Sequence, residues 1–301
     1  MKEILELRVV MDFAHILFRE DEGKNLGSVK LVRVDTSDPI YEEIGKTQKM
    51  IREKYDRALY FGWEYIREYT EKELHEARFF QIIPKLFTLA GEECGTKYDD
   101  SCACPICGSG GKIIPPLKIR RSRIPKTDIS ITLGRGEEIL VSEKFRQVME
   151  DNHMRGLRFE PVYSGRKQID YFQLLPEQYI DMSKKTVFGC KPFDYSERSE
   201  GCYSFPLPDG KGGFYRRFNP PEVYKCPNGD NLGLNILSEA YIKDSPILKD
   251  LDYFASTQTI GLKLNLFRPY HLLFCSNRMM QIIKENKLKG FKLEVAHVVD
   301  E

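Results

Sequence analysis

Ser142-Glu143-Lys144-Phe145-Arg146-Gln147-Val148-Met149-Glu150-Asp151-Asn152-His153-Met154-Arg155-Gly156-Leu157-Arg158-Phe159-Glu160 reads in register with Ser276-Asn277-Arg278-Met279-Met280-Gln281-Ile282-Ile283-Lys284-Glu285-Asn286-Lys287-Leu288-Lys289-Gly290-Phe291-Lys292-Leu293-Glu294, 134 residues later. Ser, Gln, Asn, Gly and Glu are identical at matched positions. Most other pairs keep their chemistry, as Val148 does with Ile282, Arg155 with Lys289 and Leu157 with Phe291. Each serine stands where a helix N-cap belongs, and each glycine where a left-handed C-terminal cap belongs. With a strand over Glu138 to Val141 before the helix and another over Leu157 to Tyr163 after it, the first copy predicts a β–α–β unit. The second copy runs from His271 to Val299. A cysteine-containing turn lies upstream of each: Cys104-Pro105-Ile106-Cys107-Gly108 and Cys226-Pro227-Asn228-Gly229.

The expected fold is therefore α+β, with two pseudo-repeated β–α–β units joined by a zinc knuckle and an α/β region at the N-terminus. Its divisions are 1–90 for that region, 91–175 for the knuckle and first unit, 176–225 for a loop-rich connector, and 226–301 for the second unit.

Working outward, the N-terminal third alternates strand-like and helical patterns. Ile4 to Met11 and Val29 to Val34 alternate as half-buried strands do. Ala58 to Tyr65 is aromatic-rich and reads as a strand with Trp63, the sole tryptophan, in or near the core. Thr70-Glu71-Lys72-Glu73 fits a capping box, and Leu74, Ala77, Phe80 or Gln81 and Ile83 would continue that helix on one face. Leu117-Lys118-Ile119-Arg120 alternates like a strand, stopped by Pro125. Asp194 to Asn219 reads as a long exposed loop, with Asp209-Gly210-Lys211-Gly212-Gly213 as a hairpin tip whose spacing does not match a phosphate-binding loop.

The chain has 301 residues, 41% apolar and 30% charged, as an ordinary globular protein does. A net charge of +1 conceals an acidic first hundred residues and a basic remainder. Lys112, Lys118, Arg120, Arg121, Arg123 and Lys126 fall in a stretch, Ser101 to Lys126, without a single acid. That stretch can face an anionic partner, nucleic acid or acidic protein, or pair with the acidic N-terminal third. Met1-Lys2-Glu3-Ile4-Leu5-Glu6-Leu7-Arg8 is broken by charge before an apolar signal region could form, so a cytoplasmic location is expected. There the eight cysteines serve as ligands or core residues rather than disulfides.

Cys104-x-x-Cys107-Gly108 is the strongest chemical motif. Two thiolates at this spacing begin a tetrahedral zinc site that needs two further ligands. Cys94, in the tight turn Gly91-Glu92-Glu93-Cys94-Gly95, and Cys226, in the second cysteine turn, complete the chosen set of Cys94, Cys104, Cys107 and Cys226. Cys102, Cys190 and Cys202 remain alternatives, and a reduced pair without metal or a redox dithiol are the competing readings. Cys275, beside Leu272, Leu273 and Phe274, reads as a core thiol. Four thiolates leave no coordination position for water, so such a zinc is structural. No catalytic constellation is expected: His15, His75, His153, His271 and His297 are scattered and stand in no ligand or nucleophile–base spacing.

Gly91-Glu92-Glu93-Cys94-Gly95-Thr96, Cys104-Pro105-Ile106-Cys107-Gly108, the Ser142 to Val162 unit, and Cys226 leading into Gly233-Leu234-Asn235-Ile236-Leu237-Ser238-Glu239 together resemble the bacterial double-CxxCG proteins. These are described as immunity proteins paired with secreted toxins. The stretch from Asp252 through Arg268-Pro269 to His297 is similar to the ends of other toxin-immunity families. The likeness spans about residues 90–300. It departs at position 229, glycine where the second CxxC would place cysteine, so Cys94 would supply the missing sulfur. The resemblance implies a protein that binds a toxin and blocks it without chemistry. A zinc-ribbon-like nucleic-acid binder using residues 112–126 is the alternative.

Overall fold

Leu5, Leu7 and Val9 are fully buried between more exposed neighbours, so β1 (Lys2–Val10) presents one face to a core. In the computed structural model the described residues are 1–88, 91–103, 110–132, 138–189, 192–193, 203–205, 216–218, 231–232, 235–261 and 269–301. β2 (Val29–Asp35) and β3 (Tyr60–Glu68) pair antiparallel on either side of β1. Trp63 on β3 is half-buried and meets the Tyr65 ring edge-on at 5.9 Å. Between them, α1 (Ile40–Tyr55) turns Ile44, Gln48 and Ile51 inward. The sequence reading assigned no helix there. A buried glutamine interrupts the apolar stripe, and it is tolerated because its Oε1 accepts the Leu59 amide at 2.7 Å.

The capping box forms as expected at α2 (Glu71–Glu76): the Glu73 amide donates to Thr70 Oγ1 at 3.2 Å, and the Thr70 amide donates to Glu73 Oε2 at 2.8 Å. The helix ends at Glu76, however, instead of running to Ile83. Phe79–Pro84 is the strand β4, where aromatic and β-branched side chains pack between two neighbouring strands.

The chain divides into an N-terminal body of residues 1–76 with 191–196, and a C-terminal body of residues 77–190 with 197–301. Pro192 and Phe193 belong to the first: Tyr60 Oη donates to the Pro192 carbonyl at 2.9 Å, and Phe193 meets the Tyr41 ring at 4.8 Å.

Two larger sheets dominate the described residues of the C-terminal body. β5 (Ile129–Thr132), β6 (Ile139–Ser142), α3 (Glu143–Asp151), β7 (Leu157–Ser164) and β8 (Lys167–Pro176) make the first half. Their sheet order is β7-β8-β6-β5, antiparallel at each step. β9 (Ala240–Lys243), β10 (Tyr253–Gly261), β11 (Tyr270–Ser276), α4 (Asn277–Glu285) and β12 (Phe291–Val299) make the second half. Here the order is β10-β11-β4-β12-β9. In each half the strand before the helix and the strand after it run parallel, with one antiparallel strand between them. That central strand is β8 in the first half and β4 in the second.

Local detail matches at the 134-residue offset. Ser142 Oγ accepts the Phe145 amide at 3.1 Å, and Ser276 Oγ accepts the Met279 amide at 3.1 Å. Asn152 Nδ2 donates to the Val148 carbonyl and Asn286 Nδ2 to that of Ile282, each at 2.9 Å. His153 and Lys287 have φ of 50° and 53°, and Gly156 and Gly290 have φ of 88° and 114°. The halves also exchange contacts. Asp128 accepts from Ser142 Oγ in its own half and from the Lys289 amide in the other, at 2.9 and 2.8 Å. Asp252 accepts from Ser276 Oγ and from the Arg155 amide, at 2.8 and 3.1 Å.

The second half centres on Phe79, Phe254 and Phe274, with Phe254 and Phe274 stacked at 5.2 Å. The first centres on Leu117, Ile119, Leu140, Val162 and Ile169. Tyr203–Phe205 and Arg216–Phe218 pair antiparallel, as the flanks of the expected hairpin would, while its tip lies outside the described residues.

Candidate functional site

Of the four expected zinc ligands, Cys94 is described and Cys104, Cys107 and Cys226 lie outside the described residues, as do the alternatives Cys190 and Cys202. Cys94 closes a 3₁₀ turn over Glu92–Cys94 and is half-buried. Its amide donates to the Gly91 carbonyl at 2.9 Å, and the Gly95 amide to that of Glu92 at 2.8 Å. Gly95 then takes φ 87°, which reverses the chain where a side chain would be strained. Thr96 fastens the turn to the segment beyond the cysteines: its Oγ1 donates to the Lys118 carbonyl at 2.8 Å and accepts the Lys118 amide at 3.0 Å. Among the described residues no group of three or more His, Cys, Asp or Glu could hold a metal ion. Cys102 is exposed, and Cys275 is fully buried as expected, its thiol pushed well above the ordinary range chiefly by desolvation.

The basic segment is anchored and outward-facing. Leu117 and Ile119 are each 1% exposed, and the Ile119 amide and Tyr163 carbonyl bond at 2.9 Å, holding the segment along β7. Lys112, Arg120, Arg121 and Lys126 are exposed. None of these four forms an ion pair with a described residue. The Arg123 side chain lies outside the described atoms.

A cavity of about 570 Å³ lies within the C-terminal body, lined from both halves. Its apolar wall includes Leu174 with Ile139 from the first half and Ile82 with Leu273 from the second. Ile139 and Leu273 are matched at the 134-residue offset, and each is registered with a residue of its central strand, Leu174 and Ile82 respectively. Next to them in each central strand stands a glutamine, Gln173 on β8 and Gln81 on β4, and both line the cavity. Gln81 is 4% exposed, and its Oε1 has no hydrogen-bond partner among the described residues. Gln173 is 8% exposed, and its side chain bonds no described residue.

The other buried acceptor there is satisfied, since Glu138 takes the Tyr98 hydroxyl at 3.0 Å and that of Thr132. The sequence reading placed Gln81 on the face of a helix, which ends at Glu76 instead, and gave Gln173 no role. Their common place shows only in the strand register, where Gln173 stands opposite Glu160 and Gln81 opposite Glu294.

Among the described residues no helix is long and apolar enough to cross a membrane. No protein-family model and no curated protein matches this chain.

Proposed function

We propose that the chain is a non-catalytic binding protein, built on a duplicated split β–α–β unit and stapled by a structural zinc at Cys94, Cys104, Cys107 and Cys226. It acts in the cytoplasm as an immunity protein, covering the working surface of a bacterial toxin. The observation that carries this reading is the segment 112–126. Leu117 and Ile119 fix it to the sheet, while Arg120, Arg121 and Lys126 remain exposed without an ion pair to a described residue and Lys112 is exposed opposite Asp99. An anchored basic strip steers an acidic partner into register and raises its association rate. The reciprocal bonds of Asp128 and Asp252 hold the two halves together, and such a rigid body loses little entropy on docking.

The test is affinity capture from the producing cells with wild-type protein and with a K112E/R120E/R121E/K126E variant, followed by reconstitution of the captured pair from purified components. One stoichiometric acidic protein, bound by the wild type and lost by the variant, is the expected result. If no protein shows that dependence, the reading fails. The same strip suits a nucleic-acid phosphate backbone, the alternative reading. Tight binding of a labelled 20-base-pair duplex that collapses as salt rises would favour that alternative.

A further inference from the structure

We propose that the cavity between the two halves is a binding site for a neutral, ring-bearing small molecule carrying a carboxamide or lactam edge. Its volume, about 570 Å³, falls within the range of roughly 300–1,000 Å³ over which pockets bury small ligands. Leu272, on the same sheet face as Gln81, and Leu117, packed against the face that carries Gln173, are each buried and, with Ile83 and Leu175, make an apolar surface suited to a ring. The polar groups define the rest of the ligand. A buried acceptor without a partner is costly to a fold, and Gln81 Oε1 is such an acceptor. Gln173 brings a second carboxamide, likewise without a described partner, from the equivalent position of the other half. A glutamine side chain offers an acceptor and a donor side by side, so the complementary ligand edge carries a donor beside an acceptor.

Charge argues for a neutral ligand. Arg158 and Glu160, both lining the cavity, are ion-paired to each other. The Glu138 carboxylate is occupied by Tyr98 and Thr132, and Lys112 is exposed to solvent. No buried unpaired charge remains to offset the desolvation of an ionic ligand. Lys112 lines the cavity as well as opening the basic segment, but recognition by the two glutamines uses neither the exposed arginines nor the cysteines, and the glutamine variants test it apart from the toxin-binding reading.

The test titrates the full chain with indole-3-carboxamide by calorimetry, against 3-methylindole as a ring of similar size without the amide. The carboxamide should bind at least about tenfold more tightly, the worth of one well-made hydrogen bond to a buried group. Gln81→Leu should reduce carboxamide affinity to the 3-methylindole level. It should also raise Tm by about 2–4 °C, because an unmet buried acceptor has been removed. Gln173→Leu should weaken the carboxamide selectively, and Ala255→Phe, which fills the lined volume, should abolish binding of both probes. Equal affinity for the two probes, no binding of either, or binding retained in Ala255→Phe would overturn the proposal. So would a lowered Tm in Gln81→Leu, which would make the glutamine a structural residue. Should Ala255→Phe fail to fold, the two glutamine variants still decide the matter.

Discussion

The carboxylate of Asp252, a residue 3% exposed, accepts from Ser276 Oγ, from the Arg155 amide and from Arg278 Nη1 at 2.8, 3.1 and 2.9 Å. Asp252→Ala leaves three donors unmet around a buried position and should cost about 3 kcal/mol in urea unfolding. Asp128→Ala, at the equivalent but half-exposed site, should cost less, about 1–2 kcal/mol, since water can replace the carboxylate. Equal losses would mean that burial does not set the size of the effect. Gly156 and Gly290 are a second matched pair. A Cβ on Gly156 would collide with the Tyr253 carbonyl oxygen, and one on Gly290 with that of Ile129. Both also hold positive φ, so each Gly→Ala change should cost more than about 2 kcal/mol, well beyond an ordinary glycine replacement. The glycines and the Ser142 and Ser276 caps were legible in the sequence because a cap is a local event. The aspartates were not, because what each aspartate binds includes an amide from the other half, far away in the chain.

At the scale of elements, α2 shows a local signal succeeding and then running out. Thr70 and Glu73 fix its start by three residues of chemistry alone. Its end depended on β4, whose pairing with β11 and β12 is decided by strands some 190–210 residues downstream (82 to 273 and 84 to 291). α1 was missed for a related reason, since Gln48 earns its buried place through Leu59, outside the helix. The Glu73 carboxyl is held down to about 2, first by the N-terminal ammonium and then by the Thr70 amide and hydroxyl. A depressed carboxyl stabilises the fold while it is ionised. Its contribution is complete above the ordinary value of 4.5 and disappears as pH falls toward about 2. Glu73→Gln should therefore flatten the decline of Tm between those two pH values and lower Tm modestly at pH 7. An unchanged acid limb in the variant would show that the Glu73 contacts do not persist in solution.

For the whole molecule, the two bodies raise the question of what ties the C-terminal body together across the cysteine segments. Asp128 and Asp252 join its halves by hydrogen bonds, and the Thr96–Lys118 bonds fasten the Cys94 turn to the segment that carries the basic strip. If zinc joins that turn to Cys104, Cys107 and Cys226, metal binding and folding of this body are one equilibrium, because the unfolded chain has no preformed site. Protein purified without added metal should then carry about one zinc per chain by native mass spectrometry. Cys104→Ala and Cys107→Ala should lose the metal and lower Tm by more than about 10 °C, as structural zinc sites contribute several kcal/mol. Cys102→Ala removes an exposed thiol and should change neither quantity. Cys275→Ala removes a fully buried one and should lower Tm by a few degrees with zinc retained. That last contrast separates a ligand from a core cysteine, since both variants destabilise but only one releases metal. Zinc-free wild-type protein, or Cys104→Ala with an unaltered melt, would remove the staple and with it the reading of the cysteine turns as joints between the two halves.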